Sequence, residues 1–395
     1  MATPGRNFCI APFTQLTFDP VGSYSPCAEI GAQAWYEPNA SPIRMWSSKQ
    51  YESLRQSFKQ NEKDPTCNRC WTTEKYENKS LRIRLLNAGG TFLPGQAEKH
   101  ISQGYKLGPQ QINLMTGNKC NLRCRICKAA CSSTYNTEGK EYEKKLGRKT
   151  IYTSDTAKPV QLSPHQLDEV FEISGNLKRL EFYGGEPLLD DQTIKLLERF
   201  VEAGRSHDIS IMYNTNGVNR PTEKHYKIWE SFKHVDFNVS IDDIGDRFTY
   251  NRHPGKWSVL VSNIQNIREK TKNHSIFGIC TVSNLNIFYI PEILRQLKHM
   301  DIPCFLNTVH RTAYYEIQYL PMPIKKTIKQ KLQTYEDLPK IEFLLNMLDA
   351  AENLKHWEDF KFWTQTKDQY RKESFKDTYP EFYKVIKQYD NTIQF

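Results

Sequence analysis

The chain has 395 residues, of which 38% are hydrophobic and 25% charged. This length allows one large domain with a smaller one, or two ordinary domains, and the composition is typical of a soluble globular protein. No apolar run approaches the ~20 residues of a membrane-spanning helix, and we expect no contact with a membrane. The formal net charge of +9 is moderate and gives no specific signal for nucleic acid. Composition therefore leaves the function to local motifs.

The chain contains ten cysteines, and its first seven residues have no apolar core, so we expect no secretory leader. Cysteines without a leader indicate a reducing compartment, where thiols serve metal binding or catalysis. A cytoplasmic location is predicted.

The first part of the chain contains two separated cysteines and a C-x2-C pair. Segments 13–18 and 22–25 flank the turn residues Asp19-Pro20-Val21-Gly22, which predicts a β-hairpin. Cys9 precedes this hairpin and Cys27 follows it, whereas Cys67 and Cys70 follow a predicted helix at 41–60. Four thiolates would satisfy either zinc or a four-iron cluster, and both alternatives stay open. Either site would be closed, with a structural or electron-carrying role.

Beyond a predicted helix at 71–84 and a candidate linker at 89–108, apolar strand patterns alternate with helical ones. Segment 132–157 is polar and is predicted to be an excursion from this pattern. Ser163-Pro164 is typical of a helix start. The alternation indicates βαβ units and a parallel sheet, whose chemistry gathers at the carboxyl ends of the strands. Strands are predicted at 111–114, 179–183, 209–213, 237–241, 276–282 and 305–309, and helices at 194–203, 226–233, 258–270 and 291–298.

A loop after the first of these strands carries Cys120, Cys124 and Cys127 at C-x3-C-x2-C spacing. A four-iron cluster normally takes four thiolates, so three would leave one iron open to a substrate or cofactor. A structural zinc site is an alternative, because Cys131 follows closely and could complete a four-thiolate set. A disulfide suits a small secreted domain rather than a chain of this length.

Polar and glycine-rich residues follow the later strands. Gly184-Gly185-Glu186-Pro187 follows the second, where the glycines would let the backbone approach a ligand; an ordinary strand-to-helix turn uses the same residue types. Asn216 follows the third strand, and Ser240-Ile241-Asp242 the fourth, where an acidic residue is a usual acceptor for ribose hydroxyls. Arg252 could pair with a carboxylate. Together these residues suit a nucleoside with an amino-acid tail.

This combination resembles the radical S-adenosylmethionine (SAM) superfamily over residues 110–310, through the three-cysteine loop, Gly184-Gly185-Glu186-Pro187 and Ser240-Ile241-Asp242. The resemblance implies an α/β fold with a partial (β/α)6, TIM-like barrel, and a [4Fe–4S] cluster that cleaves SAM reductively to a 5′-deoxyadenosyl radical. It also implies that Gly184, Gly185 and Glu186 hold the methionyl amino group. Asn216, Ser240 and Asp242 would surround the ribose, and Arg252 is the candidate for the carboxylate. No catalytic residue is assigned.

The N-terminal cysteines resemble a twitch or SPASM-type auxiliary cluster domain, although such domains usually follow the barrel. The resemblance implies an auxiliary [4Fe–4S] cluster on Cys9, Cys27, Cys67 and Cys70. We therefore expect an auxiliary domain at 1–104, a core barrel at 105–318 and a helical C-terminal extension at 319–395 that covers an apolar face. Cys131, Cys280 and Cys304 have no assigned role, the last two being expected as buried inert thiols.

The resulting hypothesis is a radical SAM enzyme, an oxidoreductase or modifying enzyme, that abstracts hydrogen from a substrate such as a peptide or protein. It would require an external one-electron reductant such as flavodoxin or ferredoxin. The alternative is a zinc-stabilised binding protein without radical chemistry.

Overall fold

A single nine-stranded sheet runs through the computed structural model, which describes residues 6–30, 34–76, 80–87, 108–153, 159–309, 312–335 and 341–390. The spatial order of the strands is β3-β2-β1-β4-β5-β6-β7-β8-β9. Their bounds are β1 Gln15–Phe18, β2 Ser23–Ser25, β3 Trp35–Tyr36, β4 Gln111–Met115, β5 Arg179–Tyr183, β6 Ser210–Thr215, β7 His234–Ser240, β8 His274–Val282 and β9 Cys304–Thr308.

The six strands from β4 to β9 are parallel and lie in chain order, as the alternating pattern predicts. Helices connect them on one face. Ser163 caps the helix that precedes β5 through a capping box with Gln166, which confirms the predicted helix start. The helices of this part of the chain are α6 Tyr135–Leu146, α7 Pro164–Ile173, α8 Asp191–Glu202, α9 Glu223–Trp229, α10 Gly245–Asn251, α11 Trp257–Lys270 and α12 Ile290–His299. The polar segment at 132–157 thus contains a helix, α6, that the sequence pattern did not predict.

The N-terminal segment joins this sheet rather than folding apart from it. Strands β1 and β2 form the predicted hairpin, and β1 pairs in parallel with β4. The single helix predicted at 41–60 is two helices, because the Ser48 side chain caps a new start at that point. The helices here are α1 Ala11–Thr14, α2 Pro42–Trp46, α3 Lys49–Lys59, α4 Asn68–Tyr76 and α5 Leu81–Asn87. The candidate linker at 89–108 lies outside the described residues except for its last position, and the domain boundaries stay predictions.

The two faces of the sheet differ in polarity. The helix-covered face carries a buried row across adjacent strands: Phe18, Leu114, Phe182, Tyr213 and Phe237. The alternate row is mostly polar and continues in register through Thr17, Asn113, Glu181, the apolar Met212 and Asp236. Because successive side chains of a strand point to opposite faces, this polar row lines the inside of the barrel.

The C-terminal extension is helical, as predicted. Its buried apolar residues, including Leu344, Phe360 and Phe382, belong to the same core cluster as the sheet and its helices. It consists of α13 Met322–Gln333, α14 Glu342–Leu348, α15 Leu354–Arg371, α16 Phe375–Thr378 and α17 Pro380–Tyr389. None of the helices in the described ranges combines the length and the apolar character that crossing a membrane requires.

Candidate functional site

The three-cysteine loop begins where β4 ends, at the carboxyl edge of the parallel strands. It borders a cavity of about 300 Å³. The structure brings together most of the predicted site residues around this cavity: Cys120, Cys124, Cys127, Gly184, Gly185, Asn216, Ser240 and Arg252. Cys131, Tyr183 and Asn214 line it too. The side chains of neighbouring strand ends therefore converge on one site, as expected for a parallel sheet.

Gly184 and Gly185 pack against the backbone of the cysteine loop. Gly185 N–H donates to the Gly117 carbonyl at 2.7 Å, and Glu186 N–H donates to the Lys119 carbonyl at 2.8 Å. A Cβ atom on Gly185 would lie 2.2 Å from the Lys119 oxygen. Gly184 has a φ of +137°, a backbone conformation that residues with a side chain rarely adopt. The glycines are thus required by the close approach of two backbones.

Glu186 is buried behind the cavity wall and does not line the cavity. Its carboxylate accepts hydrogen bonds from Thr215 Oγ1 at 2.8 Å, from Asn216 N–H at 2.7 Å and from Leu188 N–H at 3.1 Å. Burial raises the pKa of Glu186, while these donors oppose the rise. The structure therefore gives Glu186 a role in joining the ends of β5 and β6.

Asn216 connects the third strand end to the cysteine loop. Its Nδ2 donates to Asn121 Oδ1 at 2.8 Å and lies 4.0 Å from Cys120 Sγ. Its Oδ1 accepts from Val218 N–H at 2.9 Å, which fixes the amide orientation. Asn121, which lies between two of the cysteines, is a site residue that the sequence pattern did not reveal, because asparagine in a loop has many ordinary uses.

Arg252 and Asp242 form a buried ion pair beside the middle cysteine. Arg252 Nη2 lies 2.9 Å from Asp242 Oδ2, and Arg252 Nη1 lies 3.8 Å from Cys124 Sγ. Asp242 Oδ1 accepts from Thr281 N–H at 2.9 Å, and Asp242 does not line the cavity. Asp242 therefore holds Arg252 at the cavity wall rather than facing the cavity itself.

The surroundings of the loop raise the pKa of its three cysteine thiols. Burial, and then the neighbouring Cys124, raises the pKa of Cys120 to about 12. A hydrogen bond with Cys131, and then burial, raises the pKa of Cys127 well above its ordinary value. Burial also raises the pKa of Cys124, although the Arg252 guanidinium opposes the rise. Binding of iron by these thiols would release their protons.

The four N-terminal cysteines converge on a second, small cavity of about 20 Å³. Cys9, Cys27, Cys67 and Cys70 all line it. The buried Arg82 lines it as well, held by a two-pronged contact with Glu74 at 2.9 and 2.6 Å and by donation to the Phe8 carbonyl at 2.8 Å. Arg82 is a neighbour of this site that no sequence motif singled out.

Both cysteine sets fit an iron–sulfur cluster by their chemistry. Across the described ranges, no three histidine, cysteine, aspartate or glutamate side chains lie close enough to bind one and the same metal ion. The thiolates of a four-iron cluster bind different irons and need not be so close. In the first site, three thiols line the same cavity as glycine backbone and polar side chains, which suits a cluster with an adjoining polar cofactor.

The fold and the site define a class of protein, namely a partial (β/α) barrel with an open three-cysteine site at the carboxyl ends of its strands. Residues 114–297 match the family model of the Radical SAM superfamily. The chain therefore carries a radical SAM domain, and its cofactors are a [4Fe–4S] cluster and SAM. This confirms the predicted radical SAM domain, its α/β fold and its [4Fe–4S] and SAM cofactors, whereas the auxiliary cluster stays a prediction.

Two curated relatives are similar to parts of the chain. The GTP 3′,8-cyclase of Clostridium acetobutylicum is 24% identical over 248 residues, which are 60% of this chain and 66% of that protein. The radical SAM cyclopropyl synthase TigE of Paramaledivibacter caminithermalis is 28% identical over 110 residues, 27% of this chain and 22% of that protein. The chain thus spans less than two thirds of the length of each.

Solved structures show a distant likeness. Native anSMEcpe with bound AdoMet aligns with a TM-score of 0.40 at 17% identity, covering 62% of this chain and 64% of that one. SuiB of Streptococcus suis bound to its precursor peptide SuiA aligns with a TM-score of 0.39 at 12% identity, covering 85% and 70%.

Proposed function

We propose that this protein cleaves SAM reductively and uses the resulting radical to abstract hydrogen from a substrate. When bound, the reduced cluster supplies one electron that breaks a carbon–sulfur bond of SAM, giving methionine and a 5′-deoxyadenosyl radical. The observation that carries the proposal is the shared cavity, which is lined by three cysteine thiols together with glycine backbone and polar strand ends.

The residues of the cavity divide into those that touch the cofactors and those that hold them in place. We assign Cys120, Cys124 and Cys127 as the cluster ligands. The backbone of Gly184 and Gly185 that lines the cavity would receive the methionyl amino group, and Asn216 and Ser240 would hydrogen-bond the ribose.

Arg252 would pair with the methionyl carboxylate, because its guanidinium lines the cavity beside Cys124. Glu186 and Asp242, which the sequence predicts to contact SAM directly, would instead hold Asn216 and Arg252 in position. Both carboxylates are buried and hold neighbouring site residues.

The second cysteine set is proposed to bind an auxiliary [4Fe–4S] cluster. One small cavity is lined by Cys9, Cys27, Cys67 and Cys70. Burial raises the pKa of all four thiols, and the pKa of Cys27 rises to about 11. Four thiolates leave no iron open, so this cluster would carry electrons or stabilise the fold.

A polar substrate fits the inner face of the barrel, and a peptide or protein segment is the class that we propose. The row of Thr17, Asn113, Glu181 and Asp236 makes the inner face polar, and Arg179 pairs with both carboxylates at 2.6 and 2.8 Å. Peptide backbones and side chains can satisfy such groups by hydrogen bonds. Flavodoxin or ferredoxin would supply the electron. The ten cysteines, none of them in a disulfide, support a cytoplasmic location.

The test is anaerobic reconstitution of the full chain with iron and sulfide. We expect a brown protein with about eight irons per chain, four for each cluster. With SAM and a reductant it should form 5′-deoxyadenosine. The variant Cys124→Ser should lose this activity and about four irons, and the double variant Cys67→Ser/Cys70→Ser should lose about four irons from the other site. A colourless protein that binds zinc fully and never cleaves SAM would overturn the proposal.

The substrate proposal is tested separately. Short peptides encoded beside the gene would be coexpressed with the protein and examined by mass spectrometry for a loss of two hydrogens or a new cross-link. Modification of non-peptide candidates alone would refute the peptide class while leaving SAM cleavage untouched.

A further inference from the structure

Three consecutive backbone carbonyls around the middle cysteine of the loop are capped by buried side chains. The Arg123 carbonyl accepts from Arg371 Nη2 at 2.9 Å, and the Arg125 carbonyl accepts from Lys367 Nζ at 2.7 Å. The Cys124 carbonyl between them accepts from the Tyr135 hydroxyl. Two of the three donors belong to α15, more than 240 positions further along the chain.

The side chain of Arg125, next to Cys124, is also bound by residues of the C-terminal extension. The Arg125 guanidinium is fully buried and contacts Asp368 and Glu373, each at 2.5 Å. It also lies over the Tyr250 ring at 3.4 Å. Asp368 is fixed in turn by the Tyr250 hydroxyl at 2.8 Å. The contact is therefore a buried network of charges rather than an apolar seam.

Arg371 has partners of its own that define its position. It lies 2.7 Å from Glu138, and both side chains are almost wholly buried, with exposed fractions of 1% and 0%. Glu138 also pairs with Arg123 at 3.1 Å. Burial acts to lower the pKa of Arg371, but the Glu138 carboxylate beside it more than compensates, so the pKa lies well above its ordinary value and Arg371 keeps its charge.

The amide groups of the loop are bonded by another segment. Arg123 N–H donates to the His253 carbonyl at 2.7 Å, and Arg125 N–H donates to the Asn251 carbonyl at 2.8 Å. Side chains of α15 donate hydrogen bonds to the loop carbonyls, and the carbonyls of residues 251 and 253 accept hydrogen bonds from the loop amides. The peptide units on both sides of Cys124 therefore have one fixed orientation.

Burying the Lys367 side chain costs free energy, and a helix that only covers an apolar core would have no need of a lysine at this position. Its side chain is fully buried beside the Tyr152 ring at 4.2 Å, and burial lowers its pKa well below the ordinary value. An apolar side chain would avoid this cost of removing an amine from water. The lysine instead donates a hydrogen bond to the Arg125 carbonyl of the loop, which an apolar side chain could not do.

We propose that the C-terminal extension is part of the cluster site, with Lys367 and Arg371 as positioning residues that fix the peptide units flanking Cys124 and thereby tune the reduction potential of the bound cluster. The inference rests on the proposed function, which makes Cys124 a ligand. Groups that orient a ligand, and the hydrogen bonds and dipoles around it, set the potential of an iron–sulfur cluster. A carbonyl oxygen without its donor keeps its full partial negative charge near the cluster and disfavours the added electron.

The test compares two substitutions at one buried position with a control on the same helix. Lys367→Met keeps an unbranched side chain, one atom shorter, and removes the donor, whereas Lys367→Gln, which is also one atom shorter, keeps an N–H donor without an ammonium group. Lys355→Met changes an exposed lysine of α15. Each reconstituted protein is titrated anaerobically, and the reduced cluster is followed by the part of its electron paramagnetic resonance signal that changes when SAM is added.

At a fixed applied potential, we expect the ratio of reduced to oxidised cluster in Lys367→Met to fall about tenfold, which is about 59 mV for one electron. In Lys367→Gln the ratio of reduced to oxidised cluster should recover most of this fall, and in Lys355→Met it should equal that of the wild type. A Lys367→Met protein that folds but loses the SAM-responsive cluster, with recovery in Lys367→Gln, also supports the proposal.

The inference is overturned if Lys367→Met binds its cluster at the wild-type potential, or if the Met and Gln variants shift equally. If Lys367→Met does not fold, the decision passes to Lys367→Gln: a wild-type potential supports the donor role and a roughly tenfold lower ratio overturns it. A wild-type protein without any SAM-responsive cluster would instead refute the proposed function, so the two failures are distinguishable.

Discussion

The substitution Gly185→Ala tests whether the cysteine loop depends on close packing against the glycine turn. An added Cβ would lie 2.2 Å from the Lys119 oxygen and 2.7 Å from the Asn118 carbonyl carbon. Both are backbone atoms, so no flexible side chain can move aside. Gly185 has no positive φ, and the substitution therefore adds a steric conflict without backbone strain, unlike a change at Gly184.

The size of the effect follows from these distances. Non-bonded carbon atoms prefer about 3.5 Å or more, so one of the two backbones must move by about 1 Å. Forcing an extra methyl into a packed site costs about 1–3 kcal/mol of unfolding free energy. The movement also stretches the hydrogen bonds from Gly185 and Glu186 to the loop, now 2.7 and 2.8 Å long. A misplacement of about 1 Å at a catalytic site can lower the rate about 100-fold.

The assay is the rate of 5′-deoxyadenosine formation, measured beside iron content and the free energy of unfolding. Gly175→Ala is the matched control, because an added Cβ there would have no other atom within 4 Å and its φ is not positive. We expect the control to behave as the wild type and Gly185→Ala to lose about 100-fold in rate while retaining part of its iron. Wild-type rate and stability in Gly185→Ala would refute the steric argument.

The remaining predictions concern the fourth cysteine, the buried ion pair and one acid. Cys131→Ser should keep both iron content and SAM cleavage, whereas Cys124→Ser should lose both; equal losses would indicate a four-thiolate site. Arg252→Met leaves Asp242 buried without its cation, so the free energy of unfolding should fall by about 3–5 kcal/mol, and adding Asp242→Asn should recover most of it in denaturant titrations. A loss below about 1 kcal/mol would contradict the importance of the pair. Burial raises the pKa of the Asp243 carboxyl from 3.8 to about 7, although Arg247 at 2.8 Å opposes the rise, so between these pH values the folded protein keeps a proton that the unfolded chain releases. Stability should therefore fall as pH rises from about 4 to 7, by up to about 4 kcal/mol, and Asp243→Asn should flatten this profile; identical profiles would speak against it.

Local patterns in the sequence were sufficient for much of the fold. The alternation of strand and helix patterns predicted the parallel sheet, because each pattern reflects which residues of one element must be buried. Ser163-Pro164 marked a helix start through a capping interaction that involves only the next few residues. The helix break at Ser48 was missed, since the apolar spacing continues across it and the cap is a single side-chain contact.

The roles of particular polar residues at the site depended on their neighbours in space. Glu186 and Asp242 stand at strand ends, where the sequence predicts ligand contacts. Both are instead buried and joined to Asn216 and Arg252. No sequence pattern distinguishes a carboxylate that faces a ligand from one that holds the residue facing it.

The sequence by itself determined the three-cysteine loop and its place after the first barrel strand, because closely spaced thiols need only a short turn to reach one cluster. Only the tertiary structure decided what holds that loop. The glycine turn of Gly184 and Gly185 presses on it from the neighbouring strand, and Lys367 and Arg371 cap it from a helix far along the chain. Contacts between residues so distant in sequence leave no periodicity or spacing, since they arise only when separate elements pack together.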